Sequence, residues 1–206
     1  MLNNPSLRSS LMLSAFALAG VTLVAATYQT TRPHILHNEH LSLLRRLEVL
    51  VPPVTIDNDI VNDTIEVYAN SLLGANTSLV YRGRKHNQPV AVIINSVIPD
   101  GYAGAINLLI AVGSDGILNG VRVIAHKETP GLGDKIEEQK TNWILSFNGK
   151  SIYNPPQAEW ETKLDGGAFD HITGATITSR AVIHAIRNAL IFAEQQGTKL
   201  YADSVQ

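Results

Sequence analysis

The chain has 206 residues, a formal net charge of −2 and a hydrophobic fraction of 45 %. About 175 residues beyond one apolar N-terminal stretch are enough for a single domain and a linker. The near-neutral charge lacks the basic footprint of a nucleic-acid-binding protein, so we expect no nucleic-acid partner. The absence of cysteine excludes disulfides, thiol nucleophiles and thiolate ligands for zinc or iron–sulfur clusters.

The first predicted element is an uncharged apolar segment at 11–28. As an α-helix it spans about 27 Å, close to the hydrocarbon core of a bilayer. A cleavable signal peptide is the alternative, because Arg8 precedes the segment and small residues lie at 24–26. The length of the segment and the position of Tyr28, which suits a membrane interface, favour a retained transmembrane helix.

The next segment, 29–77, is polar and mixed, which predicts a linker or stalk. It is interrupted by three prolines: Pro33, Pro52 and Pro53. Within it, 37–51 is predicted to form a helix, because leucines recur there at helical spacing. Three histidines near its start recur at i, i+3 and i+6, a spacing that would place them on one side of a helix: His34, His37 and His40. No carboxylate triad or cysteine completes a ligand set, so we expect no metal site.

The region 78–206 is predicted to form one domain. Its apolar segments are typical of strands at 79–82, 90–96, 105–112 and 117–124. The residues at 113–116 carry an Asp-Gly hairpin signal between the last two strands. A helix is predicted over 134–147 with Asp134 as its cap, and a final helix over 179–195. Strands in runs, with helices between and after them, indicate an α+β fold with an antiparallel sheet.

The segment before the final helix reads Asp-His-Ile-Thr-Gly-Ala-Thr-Ile-Thr-Ser, from Asp170 to Ser179. It places Thr176 at a helix start, where free backbone N–H groups and the helix dipole favour an anion such as phosphate. Gly174 can adopt backbone angles that let a ligand come close. The alternative is that Thr176, Thr178 or Ser179 simply caps the helix.

A second segment precedes the helix predicted over 134–147 and reads Glu128-Thr129-Pro130-Gly131-Leu132-Gly133. Pro130 stiffens this turn, and the glycines beside Leu132 can bring backbone N–H groups and one apolar side chain against a flat ring. The segment lacks the glycine spacing of a phosphate-binding P-loop. A plain loop before a helix is the alternative.

The sequence Thr173-Gly174-Ala175-Thr176, preceded by Asp170, resembles the flavinylation motif of the FMN-binding domain family. The 128–133 segment resembles a family element that lies against the flavin. The layout of the whole chain is similar to the G-subunit family of Rnf (also called Rsx) ion-translocating oxidoreductases, with the C subunits of sodium-pumping NADH:quinone reductases as cousins. Thr173 departs from the family pattern, because many relatives have serine there.

This resemblance implies that FMN is joined through its phosphate to Thr176 in a phosphoester. It implies that the remaining residues of the two segments hold the cofactor: Asp170, Thr173, Gly174, Ala175, Glu128, Thr129, Pro130, Gly131, Leu132 and Gly133. A separate flavin transferase is implied for loading, because an unactivated hydroxyl does not react with FMN itself.

The resemblance further implies a single-pass protein of the bacterial inner membrane, with 1–10 in the cytoplasm and the domain in the periplasm. Its implied partners are the other membrane and redox subunits of an Rnf-type complex, among which it relays electrons. No Ser-His-Asp set or carboxylate pair can be assembled, so we expect no catalytic residue in this chain. The rival roles are a non-catalytic anchor or assembly subunit and a stand-alone membrane-tethered flavin reductase.

Overall fold

The computed structural model describes residues 5–68 and 72–202, and the chain forms two compact units, Met1–Leu43 and Leu44–Gln206. Helix α1 (Pro5–Leu50) begins in the first unit and ends in the second. The helix predicted over 37–51 is the last part of α1. Pro33 lies inside α1, so the interruption predicted at this proline is absent. A proline removes only one helical hydrogen bond, and the turns on both sides continue the helix.

The first unit exposes its apolar side chains. Leu13 is 75 % exposed and Phe16 is 80 % exposed, and the helix is long and apolar enough to cross a membrane. The hydroxyl of Thr22 donates to the carbonyl of Leu18 at 2.7 Å, and that of Thr27 bonds to its own preceding turn in the same way. These polar groups are therefore satisfied within the helix, as a lipid environment requires.

The second unit contains a five-stranded antiparallel sheet whose strands pair in chain order. The strands are β1 (Thr64–Tyr68), β2 (Thr77–Lys85), β3 (Gln88–Ile98), β4 (Ile106–Gly113) and β5 (Leu118–Ala125). The four predicted strands correspond to β2–β5, and the α+β prediction is confirmed. Strand β1 lies in the stretch predicted as a linker. No strand signal is visible there because the side chains of β1 are at most half-buried and show no clear alternation.

Both faces of the sheet are covered. Helix α2 (Thr176–Gln196) buries Ile183 and Ile186 in the core shared with Ile94 and Ile110 of the sheet. The opposite face meets the last turns of α1, where Leu50 lies so close that a Cβ at Gly120 would be 3.0 Å from its Cδ2. Strands β2, β3 and β4 are thus buried on two sides. Helix α2 begins three residues before the predicted start at 179.

The helix predicted over 134–147 is wrong. The structure has two short 3-10 helices there, Gly133–Ile136 and Trp143–Phe147. Asp134 is 6 % exposed and makes no capping hydrogen bond. Between the two helices, the Thr141 hydroxyl donates to the carbonyl of Lys135 at 2.7 Å and closes the chain into a turn. The apolar residues of this segment are therefore buried in the core from two separate short helices, and their spacing does not indicate one continuous helix.

Candidate cofactor site

A cavity of about 500 Å³ lies at the start of α2. It is lined by residues of both segments and of one further loop: Tyr102, Glu128, Thr129, Leu132, Gly133, Gly174, Ala175, Thr176, Ile177 and Thr178. Its volume lies within the range of about 300–1,000 Å³ typical of small-molecule and cofactor pockets. The fold thus brings together two segments that are far apart in the sequence.

Thr176 is the first residue of α2 and is half-buried in the cavity wall. Within 5–68 and 72–202, no hydrogen bond involves its hydroxyl group. The preceding residue, Ala175, is the N-cap and provides no side-chain cap, so the first N–H groups of α2 have no intrahelical partner. The wall therefore presents a free hydroxyl beside backbone donors at the positive end of a helix dipole.

The other two capping candidates are engaged elsewhere. The Ser179 hydroxyl accepts a hydrogen bond from the Ile172 N–H at 2.9 Å and donates to the Ala175 carbonyl at 2.9 Å. The Thr178 hydroxyl donates to Oε2 of Glu128 at 2.6 Å. Both side chains are buried. Ser179 therefore holds the loop of the motif against the helix, and Thr178 joins the helix to the other segment.

Glu128 is 4 % exposed, and each of its carboxylate oxygens accepts a hydrogen bond. Oε1 accepts from the Ala103 N–H at 3.1 Å, and Oε2 accepts from Thr178. Two glycines enclose the group, since a Cβ at Gly101 would lie 2.9 Å from Oε1 and one at Gly133 would lie 2.6 Å from Oε2. The carboxylate thus links the three chain segments that form the cavity.

Gly174 has a φ of +83°, a left-handed conformation that favours glycine. A Cβ at this position would lie 2.9 Å from Cδ2 of Leu132. Leu132, Tyr102 and Ile177 are 44 %, 67 % and 52 % exposed. The cavity therefore combines backbone donors at the helix start with an exposed apolar rim, which is a surface suited to a flat ring bearing a phosphate tail.

Four residues predicted to bind the cofactor lie outside the cavity lining: Asp170, Thr173, Pro130 and Gly131. The carboxylate of Asp170 pairs with Lys163 at 2.8 Å, and its carbonyl accepts a hydrogen bond from Trp143 Nε1 at 2.6 Å. Thr173 is exposed. The contacts of Asp170 with Lys163 and Trp143 therefore anchor the loop that carries the motif.

An ion pair holds the exposed side of the first turns of α2. Arg180 donates two hydrogen bonds to Asp165, at 2.6 and 2.7 Å. These bonds, together with one from the Thr162 hydroxyl, lower the pKa of Asp165 to about 2. The loop before the motif is therefore fixed to the helix that begins at Thr176.

Models of known families match both parts of the chain. The FMN-binding domain matches residues 101–191, and the RnfG N-terminal region matches residues 1–50. The G subunit of the ion-translocating oxidoreductase complex of Pseudomonas aeruginosa (strain PAO1) is 45 % identical over 95 % of this chain and 92 % of that protein. The chain belongs to this G-subunit family.

Other members of the family show similar agreement. The Vibrio cholerae (El Tor Inaba N16961) member is 39 % identical over 94 % of this chain and 93 % of that protein. The Shewanella amazonensis member is 43 % identical over 90 % of this chain and 87 % of that protein. The resemblance inferred from the two motifs is therefore confirmed, and the N-terminal helix together with family membership fits a single-pass inner-membrane protein.

The cavity lies within the part of the chain that matches the FMN-binding domain. Its residues fit FMN: Gly174 brings bare backbone to the cavity wall beside Leu132, and the start of α2 offers donors to a phosphate. Sequence reasoning missed Tyr102 and Ile177 as lining residues and took Thr178 only as a possible cap. Thr178 gave one usable signal, a polar residue on the helix face that carries Val182 and Ile186 into the core.

Proposed function

We propose that this protein carries FMN esterified through its phosphate to Thr176 and relays electrons between other subunits of an ion-translocating oxidoreductase complex. The observation that carries the proposal is the free hydroxyl of Thr176 at the start of α2, in the wall of the cavity that joins both motifs. The family assignment supports the electron-transport role, because relatives are named as subunits of such complexes.

In this proposal, the N–H groups at the start of α2 and the open backbone of Gly174 hold the phosphate. Thr129, Leu132 and Gly133 form one wall for the ring, and the exposed rim residues border it. When bound, FMN supplies the one- and two-electron chemistry, which is the cofactor's own. Attachment through the phosphate leaves the ring free for electron exchange and prevents loss of the cofactor.

Loading requires a second protein. The Thr176 hydroxyl makes no hydrogen bond to a general base in the described part of the chain, so we infer that a flavin transferase activates it. The bond that forms joins Thr176 Oγ1 to the FMN phosphorus of FAD. The pyrophosphate bond breaks, AMP leaves, and the hydroxyl proton is removed in a transferase site that uses magnesium.

The proposed topology has 1–10 in the cytoplasm, 11–28 in the membrane and the FMN-binding domain in the periplasm of a bacterium. The family match to 1–50 supports a retained helix over a cleaved signal peptide. Arg8 precedes the helix, whereas Arg32 follows it, so charge alone gives only a weak orientation signal.

The relay is tested in the intact complex carrying Thr176→Ala, with Thr176→Ser as the matched variant that keeps a hydroxyl. We expect the Thr176→Ala complex to assemble with its full set of subunits and to lose electron transfer. Assembly with unchanged electron transfer would favour the anchor role. Specific turnover of one small acceptor by the isolated, flavin-loaded protein would favour a stand-alone reductase.

A further inference from the structure

The carboxylate of Glu128 is buried without a cation beside it. In the part of the chain that the structure describes, no Lys, Arg or His nitrogen forms an ion pair with it. His126 accepts the Glu128 N–H at its Nδ1, at 3.0 Å, and its Nε2 lies 2.9 Å from Oε1 of Glu137. Both ring nitrogens of His126 are therefore engaged away from the Glu128 carboxylate. In the described structure, the side-chain oxygens of Glu128 are therefore bonded only by two neutral donors, the Ala103 N–H and the Thr178 hydroxyl.

The group is also screened poorly by solvent. Glu128 is 4 % exposed, and a Cβ would lie 2.9 Å from Oε1 at Gly101 and 2.6 Å from Oε2 at Gly133. A buried charge costs free energy unless it is hydrogen-bonded, and here two donors serve a group that can accept about four bonds. A purely structural link between the segments would not require a charge.

We infer that Glu128 acts on bound FMN through its charge, holding the reduction potential of the flavin below the value that the same cavity would give without it. Thr178 is the positioning residue, because its hydroxyl fixes Oε2 in the cavity wall. Reduction adds negative charge to the ring, and a carboxylate in a wall of low dielectric constant opposes that addition. This inference rests on the proposed binding of FMN in the cavity.

Glu128→Gln is a clean removal of this charge. The amide oxygen can keep the bond from the Ala103 N–H, and the amide NH₂ can donate to the Thr178 hydroxyl, which rotates to accept it. The cavity wall therefore keeps its hydrogen bonds. Glu137→Gln is the matched control, because it removes the same charge from a residue that does not line the cavity.

The experiment measures the midpoint potential of full-length, flavin-loaded protein by spectroelectrochemistry, after intact mass has established the FMN content of each variant. We expect Glu128→Gln to raise the equilibrium constant for reduction by about tenfold, which is about 30 mV for a two-electron couple. Glu137→Gln should shift it much less. The Glu128→Gln shift should persist in about 0.5 M NaCl, because a buried charge is screened little by salt.

A failure of this inference can be distinguished from a failure of the proposed function. Loaded flavin with the same potential in Glu128→Gln and wild type would overturn this inference and leave the proposed function intact. Wild-type protein that neither carries FMN nor binds added FMN would overturn both. Should Glu128→Gln fail to fold, the double variant Glu128→Met/Thr178→Val replaces both members of the Thr178–Glu128 hydrogen bond with apolar groups, and the same rise in potential is expected of it.

Discussion

The first turns of α2 have two sides that differ in what their polar groups do. On the cavity side, the Thr176 hydroxyl is half-buried and bonded to nothing in the described structure. On the inner side, Thr178 is 1 % exposed and its hydroxyl is committed to Glu128. Two threonines of one helical turn thus have the same chemistry and different roles. The comparison indicates that an available hydroxyl at a helix start, and not threonine as such, distinguishes the attachment site that we propose.

The largest expected effect is complete loss of covalent flavin in Thr176→Ala. Because the Thr176 hydroxyl bonds to no protein group in the described structure, its removal should leave the free energy of unfolding within about 0.5 kcal/mol of wild type. The measurement is flavin fluorescence of the band on a denaturing gel, with thermal unfolding alongside. Thr173→Ala is the control and should keep its flavin, since Thr173 lies outside the cavity lining. A fluorescent Thr176→Ala band would refute the assignment.

The opposite outcome is expected on the inner side. Thr178→Val removes a buried hydrogen bond to a carboxylate and should destabilise the domain by about 1.5–3 kcal/mol, as measured by urea unfolding. Thr178→Ser keeps the hydroxyl donor, so its free energy of unfolding should fall much less. Covalent flavin should still be found in the folded fraction of Thr178→Val. Equal stability of Thr178→Val and wild type would show that the Glu128 bond contributes little.

A smaller effect is expected for a substitution at Gly174, in the loop that precedes α2. Gly174→Ala places a Cβ in a left-handed conformation, which costs about 1–2 kcal/mol, and moves it against Leu132. Gly131→Ala is matched, because Gly131 has a φ of +80° and no atom within 4 Å of its added Cβ. Both variants should lose similar stability in urea unfolding, but only Gly174→Ala should slow flavin loading. Equal loading rates would separate Gly174 from the site.

The smallest effect concerns acid stability on the exposed side. Because Arg180 lowers the pKa of Asp165 to about 2, below the usual value of about 3.9, the ionised carboxylate stabilises the fold above about pH 4. This contribution is lost as the pH falls through about 2. The stability difference between wild type and Asp165→Asn should therefore be present at about pH 6 and vanish near pH 2. In Arg180→Gln the loss should occur nearer pH 4, and an unchanged profile would contradict the pairing.

Much of the fold could be predicted because its main elements have clear apolar patterns. Strands β2–β5 are short apolar segments with runs of consecutive buried residues, and the body of α2 carries apolar residues at helical spacing. The failures have local causes. Strand β1 is half-exposed and gives a weak pattern. The apolar residues after Gly133 belong to two short 3-10 helices, and the bond from Thr141 to Lys135 closes the turn between them. Pro33 shows that one proline does not end a helix whose other turns are intact.

The site was predictable only in part. The two motifs identified two of the loops that form the cavity. Six of their residues besides Thr176 line it: Glu128, Thr129, Leu132, Gly133, Gly174 and Ala175. The contacts between the segments depend on tertiary structure, and no local pattern encodes the pairing of Glu128 with Thr178 across 50 positions. Tyr102 gave no signal, because an exposed aromatic residue in a loop is common in any sequence.

Covalent attachment of FMN to Thr176 is tested by the intact mass of the full-length protein, produced with and without a co-expressed flavin transferase and followed by peptide mapping. We expect a gain equal to FMN less one water only when the transferase is present, on the peptide that contains Thr176. No gain beside a transferase that loads a known substrate in the same cells would contradict it, as would FMN attached to a different residue.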